Sequence, residues 1–309
     1  MFCLNLSSSD PCFNLALEEY LLINRKEDFL ILYVNTPSVI IGKHQVAHRE
    51  TDTKFVTENN IPVVRRISGG GTVFHDEGNL NFSFISQSTE GKQIDFRKYT
   101  LPVIKFLSVI GVEARFEGKN DLRVNGLKIS GNSEHVFRNR VLHHGTLLFD
   151  TQLELLGGSI RKDFAKYSTR AVCSNPSPVM NLKSIIPEVK DINDLRSQMV
   201  IFFIDENGYK LIDLSPGEKE KIELLAATKY RTWEWNFAYG PEYHFSNQFK
   251  INGLRHSCHI FVKDGIIREC EIKGSIAMEA VSKNLTGCRH MIEDLEKVPG
   301  LNNFASWIF

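Results

Sequence analysis

Three successive glycines stand in the stretch Arg65-Arg66-Ile67-Ser68-Gly69-Gly70-Gly71-Thr72-Val73-Phe74-His75-Asp76, with strand-like residues on both sides. Glycine permits unusual dihedrals and lets main-chain N–H groups come close to a ligand, and two arginines with a serine suit an anionic one, phosphate or carboxylate. The spacing is neither that of a P-loop nor that of a dinucleotide fingerprint, both of which open a helix. Downstream, Asn79-Leu80-Asn81-Phe82-Ser83-Phe84 is apolar at every second position and predicts a strand; Ile61, Val63 and Val64 upstream do the same. On this segment alone two readings stay open: an anion cradle, or a glycine-rich hairpin connection with no ligand.

A second segment, Gly118-Lys119-Asn120-Asp121-Leu122-Arg123-Val124-Asn125-Gly126-Leu127-Lys128-Ile129-Ser130-Gly131, centres on an Asn-Gly pair and predicts a hairpin. With Asn125-Gly126 as a two-residue turn, Val124 faces Leu127, Arg123 faces Lys128, Leu122 faces Ile129 and Asp121 faces Ser130. Leu122, Val124, Leu127 and Ile129 then share an apolar face, and Asp121, Arg123, Lys128 and Ser130 the polar one. Lys128 on such a face is either a solvated strand residue or a catalytic cation.

Taken together, the two segments resemble the lipoate–protein ligase A family of the lipoyl/biotinyl protein ligase superfamily. The match to its glycine-rich signature runs from Arg65 to Asn79, and Lys128 falls on the lysine of its Gly-Lys-Asn-Asp-Leu…Lys-Ile-Ser-Gly pattern. Phe13-Asn14-Leu15-Ala16-Leu17-Glu18-Glu19, Val39-Ile40-Ile41-Gly42-Lys43-His44-Gln45, His143-His144-Gly145-Thr146-Leu147-Leu148 and Trp233-Glu234-Trp235-Asn236-Phe237 follow the family's order. The resemblance implies an ATP-dependent enzyme that converts lipoate to lipoyl-AMP and transfers the lipoyl group to a lysine of a carrier domain. Carriers of this kind are the E2 subunits of 2-oxoacid dehydrogenases and the glycine cleavage H protein; octanoate is an alternative acyl substrate. It also implies roles: Lys128 on the lipoyl carbonyl and phosphate oxygens, Arg66, Ser68, Gly69, Gly70 and Gly71 beside the ligand, and Thr72, Val73 and Phe74 bordering the nucleotide. His75, Asn79 and His144 join the binding set, with the two histidines either orienting groups or relaying protons, or serving as hydrogen-bonded wall. Asn120 and Asp121 are candidate Mg2+ ligands, Arg65 supports the loop, and Val39 and Ile41 contribute to a tunnel for the apolar tail.

One stretch departs from the family. Bacterial ligases carry basic residues where this chain has Ala171-Val172-Cys173-Ser174-Asn175-Pro176-Ser177-Pro178-Val179-Met180-Asn181-Leu182. That region resembles the lipoyltransferase branch, which uses preformed lipoyl-AMP. A transferase of that kind and a non-catalytic lipoate-binding module are the alternatives to the ligase.

Composition fits an enzyme with one large core and a small satellite. The chain has 309 residues, 42% of them hydrophobic, and 37 basic against 37 acidic side chains, so no charge footprint for nucleic acid or an anionic membrane appears. No apolar run has the length of a membrane span and no signal peptide opens the chain, which makes the cytoplasm the expected location. The six cysteines are scattered without a Cys-x-x-Cys pair; His256-Ser257-Cys258-His259 alternates along a strand and is a poor metal site. Cys173 is expected to be a small loop or buried residue, with no nucleophilic role.

These residues must be positioned by an α/β (α+β) architecture: a mixed-sheet lipoate/biotin ligase-like catalytic domain over residues 1–242 and a small α+β accessory domain over 243–309. Asp10-Pro11 predicts a helix start with Phe13, Leu17 and Leu21 inward. A helix is expected between Pro102 and Gly111 with Val103, Phe106, Leu107 and Ile110 inward, and another from Asp191 with Leu195, Met199 and Phe202. From Phe245 onward a hairpin through Lys263-Asp264-Gly265 precedes helices at Ile276–Leu285 and Ile292–Leu295.

Overall fold

The computed structural model describes residues 1–88, 94–161 and 163–309, with only the backbone of 302 and 303. Its largest element is a mixed eight-stranded sheet in the order Lys210–Leu211, Phe2–Asn5, Phe29–Val34, Asn79–Gln87, Arg140–Leu148, Leu127–Phe137, Asp121–Val124, Arg115–Glu117. Phe2–Asn5 is parallel to both neighbours, and the remaining pairs are antiparallel.

Period-2 alternation divides this sheet into two buried faces. Leu30, Leu32, Leu80, Phe82 and Phe84 join one core layer with Val103, Phe106 and Leu107 of the helix Phe96–Val109 and Leu195, Met199 and Phe203 of the helix Ile192–Asn207. Phe29, Ile31 and Tyr33 enter a second layer with Leu15, Leu17 and Leu21 of the helix Pro11–Asn24. On that second face the strand Asn79–Gln87 presents Asn79, Asn81 and Ser83, all buried. A buried polar row of this kind calls for partners inside the protein or in a ligand.

Asp10 caps the first helix, its side chain accepting from the Cys12 amide at 2.8 Å, and Pro11 takes the first-turn position where an N–H has no intrahelical acceptor. Pro102, however, lies inside its helix, which begins after an Asp95 cap. The ring removes one hydrogen bond to Lys98, an exposed residue whose carbonyl water can satisfy. In the Asp191-capped helix the fully buried aromatic is Phe203, at four-residue spacing from Leu195 and Met199, while Phe202 packs at the rim.

The Asn125-Gly126 turn forms, with φ of 51° and 79°, the pair of left-handed conformations that a two-residue hairpin favours. Val124 pairs with Leu127 and Arg123 with Lys128, but Leu122 then pairs with Ser130 and Asp121 with Gly131. Ile129 is an extra residue in its strand, a bulge that sequence alternation does not show. Ile129, Leu122 and Val124 are buried, whereas Leu127 is exposed.

A three-stranded sheet, Val63–Arg65, Ser38–Ile41, Val73–His75, brackets the glycine loop. A four-stranded antiparallel sheet, Tyr167–Ser168, Tyr243–Ile251, Leu254–Lys263, Ile266–Lys273, carries its own core, in which Phe245, Ile260, Val262 and Ile272 meet Leu285 and Leu295. Its hairpin turn is Asp264-Gly265 and its helices are Ile276–Leu285 and Ile292–Leu295. Among the described residues no helix is long and apolar enough to cross a membrane.

Two glycines test the packing. A Cβ on Gly78 would overlap the Asp150 carbonyl and the Thr151 amide, backbone atoms that cannot rotate away, whereas a Cβ on Gly157 in the helix Leu153–Ser159 meets nothing within 4 Å. Gly78→Ala is expected to destabilise by about 3 kcal/mol, and Gly157→Ala to stabilise by roughly 0.5–1 kcal/mol, in urea unfolding of the full chain. Equal effects would refute this packing.

Candidate functional site

Arg66 organises the glycine loop. Its Nη2 donates to the carbonyls of Gly69 (2.7 Å) and Gly71 (2.6 Å), its Nη1 to that of Ile40 (3.0 Å) and its Nε to Ser68 Oγ (3.0 Å). Ser133 Oγ also donates to Gly69 O. Because a trans peptide sets each N–H opposite the preceding carbonyl, drawing the Gly69 carbonyl to Arg66 turns the Gly70 amide away from it, while the Thr72 amide that follows the Gly71 carbonyl is taken up by Ser174 Oγ. Among the described residues, the amides of Gly69, Gly70 and Gly71 donate to nothing. Gly70 has φ +86°, a conformation that costs any L side chain. The result is a set of free N–H groups suited to an anion.

The adjacent arginine faces elsewhere. Arg65 is fully buried and donates to the carbonyls of Gly42, Lys43, Gln45, Trp235 and Asn236, while the Trp235 indole N–H donates to Arg65 O. It ties the Trp-Glu-Trp-Asn-Phe segment to the strand before the loop, the supporting role expected of it.

Behind the loop runs a buried polar chain. Ser68 Oγ lies 2.6 Å from His144 Nε2, and His144 Nδ1 lies 2.9 Å from Glu18 Oε2. Glu18 also accepts from the hydroxyls of Tyr33 and Ser83. Burial pushes the Glu18 carboxyl up, but His144, Ser83 and Tyr33 outweigh it and hold it below the usual range. An ionised Glu18 makes His144 Nδ1 the protonated nitrogen, so Nε2 accepts from Ser68. The neighbouring His143 points to the opposite face of the sheet and pairs with Glu134 at 2.9 Å.

A cavity of about 330 Å³ opens in front of the loop. Of the residues singled out in the sequence, Arg66, Gly70, Gly71, Thr72, Val73, His75, Asn120, Asp121, Lys128 and His144 line it. Ser68, Gly69, Phe74 and Asn79 do not: Ser68 is buried against His144, Gly69 is half-buried, Phe74 packs with Val39 and Ile41 on the far side of the small sheet, and Asn79 is buried beside Asn81. Alternation is the reason, since Val73 and His75 share one face and Phe74 takes the other. Val39 and Ile41 therefore belong to the core, and Ile40 between them lines the cavity.

Lys128 Nζ sits 2.8 Å from Asp121 Oδ1, and Arg123 Nη2 sits 2.7 Å from Asp121 Oδ2. Both oxygens of Asp121 thus hold cations, and the Asn120 amide nitrogen donates to Asn132 O. This donor set does not fit Mg2+, because a metal at Asp121 would face Lys128 and Arg123 at contact distance. Among the described residues no group of three or more His, Cys, Asp or Glu is placed to hold a metal.

Ser174, which no motif marks, closes one side of the cavity. Its hydroxyl donates to Glu50, accepts from the Thr72 amide (2.8 Å) and accepts from Gln45 Nε2 (3.1 Å). Pro178 and Met180 bracket Lys128 by main-chain bonds, so residues 174–180 run from the glycine loop to the lysine. Cys173 beside it is an exposed free thiol that burial and Glu50 push above its usual range, unlike a thiolate nucleophile. Leu15, Tyr33 and Asn81 are further lining residues; Leu15 lies in the Phe13–Glu19 segment and Asn81 in the Asn79–Phe84 alternation, but nothing in either pattern points them at a cavity.

Residues 10–204 match the family described as the lipoyl protein ligase A/B catalytic domain. Lipoate–protein ligase 1 of Staphylococcus aureus is 34% identical over 96% of this chain and 92% of its own length. Among solved structures, one from Thermoplasma acidophilum, described as a bi-partite lipoate protein ligase and its E2 lipoyl domain, aligns with a TM-score of 0.65 at 26% identity, over 76% of this chain and 95% of that one. A lipoate–protein ligase A bound with ATP aligns with a TM-score of 0.65 at 25% identity, over 76% and 97%. The chain belongs to the lipoyl protein ligase A/B family.

Glu50 gives this site a pH signature. Burial pushes its carboxyl above the usual range against hydrogen bonds from Ser174 and Thr72, and its Oε1 has no partner. A carboxyl raised by folding contributes stability that is complete below its unfolded value of about 4.3 and lost as pH rises through the raised one. Glu50→Gln removes that titration. The melting temperature of the variant should therefore climb relative to wild type as pH rises above the unfolded carboxyl value; a pH-independent difference would refute the assignment.

Proposed function

We propose that this chain is an ATP-dependent lipoate–protein ligase. A lipoate oxygen attacks the α-phosphorus of ATP, the bond to pyrophosphate breaks and lipoyl-AMP forms. The amine of a carrier lysine then attacks the lipoyl carbonyl, loses a proton and expels AMP, leaving an amide. The observation that carries this reading is the glycine loop, whose amides are unbonded while its carbonyls are held by Arg66 and Ser133, in the same cavity as Lys128.

In this reading the amides of Gly70 and Gly71 receive phosphate oxygens, and Thr72 and Val73 border the nucleotide. Arg66 supplies positive charge from behind the loop, and Ser68 positions it through His144. Lys128 leaves Asp121 for the carboxyl and phosphate oxygens and stabilises the oxyanion of the second step. Leu15, Ile40 and Tyr33 receive the apolar tail. Mg2+ belongs here as a companion of the ATP phosphates, an oxygen-rich ligand set that suits it, and no step is assigned to it at Asp121.

Lysines of E2 lipoyl domains and of the glycine cleavage H protein are the acceptors we propose, with octanoate as a second acyl substrate. Residues 1–242 form the catalytic unit and 243–309 the accessory one, a division supported by a core around Phe245 whose buried members all come from 243–309 except Val46 and Tyr167. Six unpaired cysteines suit a reducing compartment such as the cytoplasm. A transferase using preformed lipoyl-AMP is the second reading, favoured by the lack of basic side chains between Ala171 and Pro178.

Pyrophosphate release from ATP and lipoate, compared with lipoylation of an apo lipoyl domain from supplied lipoyl-AMP, separates these readings. Transfer without pyrophosphate release identifies the transferase. Lys128→Ala should lower kcat/KM of both half-reactions by about 10²–10³ with little change in melting temperature, since Asp121 keeps Arg123. Unchanged rates would remove Lys128 from the mechanism.

A further inference from the structure

His75 carries a buried ring nitrogen with no partner. The residue is 4% exposed and lines the cavity, and its Nε2 bonds to nothing among the described residues. Its other nitrogen, Nδ1, lies 2.9 Å from Asn35 Nδ2. The direction of that bond is fixed from outside. Asn14 Nδ2 donates to the main-chain carbonyl of Ser8 (3.0 Å), a group that only accepts, and to Asn35 Oδ1 (2.8 Å). Asn35 must therefore turn its amide nitrogen to His75, and His75 Nδ1 must accept. The ring proton is left on Nε2.

Burial, with Arg66 and His144 nearby, lowers the His75 pKa to about 3, so the ring is neutral and has a single N–H. Asn14 and Asn35 are themselves fully buried, so the tautomer is held by a chain that solvent does not reach. A buried N–H without an acceptor is costly, and a polar lining group in that state is completed by a ligand.

The position of His75 limits which ligand atom that is. Strand rise puts its Cα about 10 Å beyond that of Thr72, on the same face as Val73, the scale of a medium-chain acyl tail. Tyr33 and Leu15, which line the same cavity, are apolar walls apart from the Tyr33 hydroxyl, which is bonded to Glu18. We propose that the Nε2–H of His75 donates to a sulfur of the dithiolane and so selects a sulfur-bearing tail over a saturated one of the same shape. Sulfur is a weak acceptor, but a methylene is none, and a site with a buried donor rejects the analogue that leaves it unpaired.

The proposal rests on the ligase reading and is tested with ligands that separate the two. Lipoate is compared with 5-cyclopentylpentanoate, in which methylenes replace both sulfurs, by calorimetric binding and by kcat/KM for pyrophosphate release. The wild-type chain is expected to favour lipoate by about fivefold. His75→Leu should bring the ratio to about one, mainly by improving the cyclopentyl compound, and His75→Gln, which restores an N–H, should recover part of it. Equal affinity of the wild type for both acids overturns the proposal while leaving the ligase reading intact, as does an undiminished ratio in folded His75→Leu. Equal affinity of the wild type overturns the proposal even if a variant misfolds. Binding of neither acid by the wild type, with ATP present, overturns the ligase reading and this proposal with it.

Discussion

The glycine loop depends on a guanidinium that is buried and paired with carbonyls instead of an anion. Burial lowers both Arg65 and Arg66 to about 10, so both remain charged at neutral pH. A buried charge must be solvated by the protein itself. Arg66 achieves this with the loop's own carbonyls, and the loop gains its shape in the process. Drawing the Gly69 carbonyl toward Arg66 turns the Gly70 amide away from it, and the Thr72 amide that follows the Gly71 carbonyl holds Ser174, so the bonds that stabilise the charge also shape the loop in front of it. Glu18 balances Arg66 across Ser68 and His144, which keeps the local charge near neutral before a ligand arrives.

Much of this architecture is written in local pattern. The alternation Asn79-Leu80-Asn81-Phe82-Ser83-Phe84 gives both a core face and a polar face, and the Asn125-Gly126 turn puts Lys128 opposite Arg123. The glycine triplet announces close backbone approach. Pattern fails where it has no phase. Val39, Ile40 and Ile41 are all apolar, so nothing in the sequence says which one meets the cavity, and the Ile129 bulge changes register without a marker residue.

Distance along the chain hides the rest. Two arginines beside three glycines suggest an anion site, yet Arg65 faces Trp235 and Asn236, about half the chain away, and Arg66 faces the loop itself. Asp121 reads as an acidic ligand until its two cations are seen together. Ser174 lies in a stretch without family landmarks, and Asn35 in none of the recognised motifs. Their roles come from contacts with Thr72 and His75 that only the folded chain assembles.

The short strand Tyr167–Ser168 has a mechanical meaning. It belongs by sequence to the segment that leads into Ser174, yet its ladder partner is Tyr243–Ile251 of the C-terminal sheet. A covalent leash only a few residues long thus joins that sheet to the roof of the cavity. Strain applied to the C-terminal sheet has two outlets: rupture of the Tyr167–Phe245 and Ser168–His244 pairing, or traction on the roof at Ser174 and through it on Thr72. A load carried to the sheet by a macromolecule bound there would reach the glycine loop through that short backbone and one hydrogen bond, from the Thr72 amide to Ser174 Oγ.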